Sequence, residues 1–148
     1  MFAKSNRSQA LPGVSTVPSS PISATSSKEF VIQHDGQNFV NVLAYEYEET
    51  ANGFFEANHL TGTLRQWGRI PNFLPDGGTL DFPTSFADTA YSITATVDTA
   101  AVSNRRIVEF TSNRTPNDIG ARVFLAANSN GSSNGFSWQA EGKLPTAD

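Results

Sequence analysis

Residues 89–97 read TAYSITATV. Tyr91, Ile93, Ala95 and Val97 share one parity, and Ala90, Ser92, Thr94 and Thr96 take the other. Successive side chains of an extended chain point to opposite faces, so this stretch has one apolar row and one small, polar row. It predicts a half-exposed strand of an antiparallel sheet. Residues 135–142 follow the same rule, with Phe136, Trp138 and Ala140 alternating with Ser137, Gln139 and Glu141. Further short β-like runs lie at 63–69, 79–83, 105–112 and 119–127. Between the runs, PDGG (75–78), VSNRR (102–106), SNRTPND (112–118) and NSNGSSNG (128–135) carry turn chemistry. Short strands joined by such turns predict an all-β fold, an antiparallel β-sandwich. No internal repeat, heptad pattern or long helical period competes with it.

Upstream, EFVIQHDGQNFVNVLAYEY (29–47) sets Asp35-Gly36 between two β-rich runs. That dipeptide suits the positive φ angles of a tight turn and predicts a hairpin. In its second strand Phe39, Leu43, Tyr45 and Tyr47 oppose Val40, Val42 and Ala44, so both faces are largely apolar and need two covers. In a chain this small, another subunit is a candidate for one of them. Residues 48–61, EETANGFFEANHLT, sustain neither period, and the expectation there is a turn or a short helical piece. Before the hairpin, SNRSQALPGVSTVPSSPISATSSK (5–28) is rich in Ser and Pro, with Leu11, Val14, Val17 and Ile22 thinly spread. It cannot bury enough apolar area to offset its own ordering entropy. Two readings stand for this arm: a disordered tail, or an extended peptide that orders against a neighbouring chain. The expected organisation is an arm at 1–28, a hairpin and connector at 29–61 that also suits trimerisation, and a sandwich at 62–148.

The 148 residues suffice for one core, and without cysteine neither disulfides nor thiolate metal sites support it. A net charge of −4 with scattered Lys and Arg disfavours nucleic-acid binding. No run approaches the roughly 20 apolar residues of a membrane helix, and no signal peptide is evident, so the expectation is a soluble, unprocessed protein without membrane insertion. His34 and His59 belong to no ligand-spaced cluster, and no serine sits in a G-x-S-x-G elbow. Asp76, Asp81, Asp88, Asp98, Glu109 and Asp118 cannot be paired into a glycosidase dyad from sequence. No catalytic residue, metal or cofactor is therefore expected. The Asn-rich loop NSNGSSNG reads either as a flexible turn or as a group of amides able to hydrogen-bond sugar hydroxyls beside an aromatic ring.

Three further stretches belong together: GTLRQWGRIPNFLPDGG (62–78), with its Q-W-G at 66–68; GGTLDFPTSFADTAYSITATV (77–97), with its F-P-x-x-F corner; and GFSWQAEGK (135–143). Over residues 62–143 this order resembles the C-terminal, receptor-binding β-sandwich domain of bacteriophage tail-fibre proteins and, more loosely, H-type lectin domains. The motif positions are Gln66, Trp67, Gly68, Phe82, Pro83, Phe86, Phe136 and Trp138. Leu80, Phe82 and the returning Phe86 are expected in the core, with Pro83 ending the strand. Trp67 and Trp138 are both read as core anchors. The resemblance implies a virion appendage on tail or capsid surface, homotrimeric, that binds a host cell-surface polysaccharide or protein without catalysis. Its arm at 1–28 would contact other virion proteins. Arg65, Arg69, Asn72, Asn128, Asn130 and Asn134 are the candidate ligand contacts; the alternative is a decoration, cement or adaptor protein with a purely structural role. Arg65 and Arg69 share the parity of Trp67. If Trp67 is buried, both arginines must lie beyond the core's edge or meet acidic partners.

Overall fold

The computed structural model describes residues 26–73, 76–97, 105–125, 130 and 134–146. Among them the secondary structure is all strand: β1 (Ser26–His34), β2 (Phe39–Thr50), β3 (Gly53–Asn58), β4 (Thr63–Asn72), β5 (Gly78–Asp81), β6 (Ser92–Val97), β7 (Arg106–Arg114), β8 (Asp118–Leu125) and β9 (Asn134–Lys143). A six-stranded sheet runs β1-β2-β3-β4-β9-β6 and a three-stranded sheet β5-β8-β7, every pair antiparallel. The two sheets enclose one core, to which Leu64, Leu80, Ile119, Val123, Phe136 and Trp138 contribute. The expected all-β, antiparallel sandwich is what the chain forms.

The predicted alternations are realised with their expected sides. In β6, Ile93, Ala95 and Val97 are half-buried while Ser92, Thr94 and Thr96 are exposed. In β9, Phe136, Trp138 and Ala140 are buried and Ser137, Gln139 and Glu141 exposed. The β1–β2 hairpin turns at Asp35, whose carboxylate accepts the N–H groups of Gln37 (2.9 Å) and Asn38 (2.8 Å), and at Gly36 with φ 102°. Those bonds lower the Asp35 pKa, the one to Asn38 most.

Residues 48–61 depart from expectation in part. The turn alternative holds at 51–52 and again from 59, but between them lies β3 and no helical piece, and Phe55 and Ala57 enter the core while Phe54 and Glu56 face outward. The alternation is real but only six residues long, with a phenylalanine on each side, which hid its period. Gly53 makes the turn possible: its φ is 129°, and a Cβ there would stand 2.4 Å from the Trp67 carbonyl oxygen. The large sheet thus runs unbroken across position 61, and β3 shares the core with β4 and β9. At its start, Ser26–Lys28, assigned to the arm from sequence, pair with Glu48–Glu46 of β2.

Strand β6 begins at Ser92, later than the 89–97 run suggested. Ahead of it, Arg114 Nη1 donates to the carbonyls of Thr89 (3.2 Å) and Tyr91 (2.9 Å). The F-P-x-x-F corner behaves as read: Phe82 and Phe86 are buried, meeting edge to face at 5.1 Å, and Phe86 stacks on Tyr91 at 4.7 Å.

Candidate functional site

Strand β4 organises the molecule because its two faces do different work. The even positions Leu64 and Gln66 point inward, and the odd positions Arg65 and Arg69 are exposed. Gln66 is 1 % exposed, an uncharged polar side chain inside the core. Both ends of its amide are satisfied by one residue: Nε2 donates to the Thr84 carbonyl, and Oε1 accepts the Thr84 N–H, each at 2.9 Å. Thr84 follows Pro83 in the corner. The Gln66 amide therefore continues the backbone pairing that the proline ends, and it joins the Q-W-G strand to the F-P-x-x-F corner.

Trp67 lies on the other face. The expectation of a core anchor there is corrected: Trp67 is half-buried on the outside of the large sheet, in one row with Phe54 and Gln139. Phe54 stacks on it at 5.9 Å and 14°, and Tyr47 tilts against it at 6.2 Å. The next row holds Tyr47, Glu56, Arg65 and Glu141. Arg65 Nε donates to Glu141 at 2.6 Å and Nη1 to Glu56 at 3.5 Å, so the acidic partners come from its own chain. The Glu141 hydrogen bond, then its charge, and then Glu56 raise the Arg65 pKa. Glu56 also accepts the Tyr45 hydroxyl at 2.5 Å; burial first and this bond second push the Tyr45 pKa up to about 12. Because the arginine is well exposed, these pairs fix geometry more than they stabilise.

The candidate contacts do not gather into one loop. Arg65 and Arg69 stand on the outer face of β4, Arg69 opposite Ser137. Asn72 and Asn134 pair across the far end of β4 and β9. The Asn130 carbonyl accepts the Leu125 N–H at 2.8 Å in the connection to β9, and Asn128 lies outside the described residues. Gly68 faces Trp138, where a Cβ would come within 3.0 Å of the indole nitrogen. Phe82, Phe86, Phe136 and Trp138 occupy the core as expected. His34 accepts the Gly36 N–H through Nδ1 at 3.1 Å, and His59 Nε2 lies 3.3 Å from Glu46. Among the described residues no three His, Asp or Glu side chains gather as a metal site requires.

Sequence reasoning missed Phe54, Tyr47, Thr94 and Gln139 as neighbours of Trp67. The signal was present in Arg65-x-Trp67-x-Arg69: two arginines sharing a tryptophan's parity mark the solvent side of a strand. Two shallow depressions flank Trp67. Both are lined by Trp67, Thr94 and Gln139, one continuing to Arg65 and Glu141, the other to Arg69 and Ser137.

No curated protein and no solved structure matches the chain. A family model does, the one described as tail fiber protein gp53-like, C-terminal, over residues 59–143. The matched region runs from the turn before β4 to the end of β9. It contains the Gln66 clamp, the F-P-x-x-F corner and Trp138, which join the two sheets, and Trp67 on the outer face. With more than half of its length matched, the chain belongs to the gp53-like tail fibre C-terminal family and is a component of the phage virion tail.

Proposed function

We propose that the chain is the homotrimeric tip of a tail fibre, which holds a host-surface glycan and performs no chemistry on it. The observation that supports this best, beside family membership, is the free end of the β1–β2 hairpin. Strand β3 pairs with β2 only over Tyr45–Thr50, so residues 39–43 have a described ladder partner on the β1 side alone. Phe39 is 77 % exposed, and Phe30 and Val40 are exposed with it. A monomer leaves this apolar surface in water; association of three copies covers it. Residues 1–25 then attach the assembly to other virion proteins. The outer face of the large sheet, together with Arg69, Asn72, Asn128, Asn130 and Asn134, supplies receptor contacts whose single-site affinity three-fold symmetry multiplies.

Light scattering coupled to size exclusion tests the assembly: the mass of three chains is expected, and a monomer contradicts it. Binding of that species to bacteria the phage infects tests the receptor role. A trimer that ignores those cells returns the chain to the adaptor or decoration reading.

A further inference from the structure

The depression that contains Trp67, Thr94 and Gln139 and continues to Arg65 and Glu141 encloses about 590 Å³, the size range of small-molecule sites. Trp67 forms its wall. Phe54 lies nearly parallel to the indole on the β3 side, and Gln139 is the cross-strand partner on the β9 side. The ring is therefore stacked on one side, and on the other Gln139 and then Thr94 follow it across the sheet. A pyranose ring has complementary chemistry: an apolar C–H face that packs on an indole, and hydroxyls that both donate and accept.

Charge narrows the class of sugar. One guanidinium, Arg65, is engaged by two carboxylates, Glu56 and Glu141, so this row carries an excess of negative charge. An incoming carboxylate or sulfate finds Arg65 committed and meets like charge, whereas a neutral ring meets only hydrogen-bonding groups. Arg69 belongs to the second depression, which the same three residues, Trp67, Thr94 and Gln139, border from their other side, and does not line this one. We propose that Trp67, Thr94 and Gln139 form a subsite for one neutral hexose ring of the host-surface polysaccharide. The subsite rests on the receptor reading above and specifies its ligand.

The test uses the full-length protein, bacteria the phage infects, and polysaccharide released from their envelope and separated by anion exchange into neutral and acidic pools. The neutral pool is expected to shield Trp67 from acrylamide quenching and to compete with cell binding. Thr94 lies on an edge strand, where lysine is tolerated, so Thr94→Lys fills the depression without disturbing the core. Thr94→Lys and Gln139→Ala are each expected to weaken neutral-pool binding about tenfold or more with unchanged melting temperature. Trp67→Phe should retain part of it. Protection by the acidic pool, or undiminished binding by both polar-site variants, overturns the subsite. If the wild type binds cells but neither pool, the sugar assignment falls and the receptor role stands. If it binds no cells, the receptor role falls and takes the subsite with it.

Discussion

Trp67 and Trp138 sit one register step apart in the same sheet, since Trp67 pairs with Gln139 and Gly68 with Trp138. They nevertheless live in different environments. Trp138 is 3 % exposed, packs against Phe82 at 5.7 Å and lies over Gly68. Trp67 is half-buried among Phe54, Tyr47 and an arginine–carboxylate row. Residue type did not decide their fates, and strand parity did. The inner face holds the sandwich together, and the outer face presents stacked aromatic and paired charged groups to solvent.

The largest effect should come from exchanging equals. Trp138→Ala opens a core cavity and is expected to cost about 3–5 kcal/mol, whereas Trp67→Ala, at a half-buried position, loses ring stacking and part of its buried area, about 1–2 kcal/mol. Paired denaturant titrations measure both, and equal losses would erase the distinction between the faces. Next comes Gln66→Ala, which strands the N–H and carbonyl of Thr84 and should cost about 2–4 kcal/mol. A loss near zero would show that the corner does not depend on the amide clamp. Smaller again is Gly68→Ala: its Cβ would meet the Trp138 indole nitrogen at 3.0 Å and the Asn52 carbonyl at 3.2 Å. Overpacking there predicts about 1–3 kcal/mol.

Much of this division was legible in the sequence wherever alternation ran long enough. TAYSITATV and GFSWQAEGK gave correct faces because apolar and polar residues separate cleanly over several pairs. Asp35-Gly36 marked its hairpin through local turn chemistry alone. Strand β3 was not legible, because Phe54 and Phe55 put an aromatic on each face of a six-residue strand. Trp67 was misread for a related reason. Hydrophobicity alone points it to the core, whereas the two exposed arginines of the same parity fix its side as the outer one. The Gln66 clamp could not be foreseen, since it depends on a corner 18 residues away returning to the same strand.

The smallest effect concerns pH. The Tyr45 pKa is raised from 10.0 to about 12, so the folded chain keeps a proton that the unfolded chain loses earlier. That contribution is fully present below about pH 10 and disappears as pH rises through about 12. Melting temperature should fall across this window in the wild type, and Tyr45→Phe should flatten the fall. An unchanged slope would mean that neither its burial nor the Glu56 bond holds the Tyr45 hydroxyl protonated in solution.

Acrylamide quenching of intrinsic fluorescence tests the opposition of the two faces most directly. The full-length folded protein should show two tryptophan populations, one quenched readily and one protected. Trp67→Phe should remove the accessible population and leave the protected emission of Trp138. If both tryptophans prove equally protected, or if Trp67→Phe removes the protected population, the assignment of the outer face as an open binding surface is wrong.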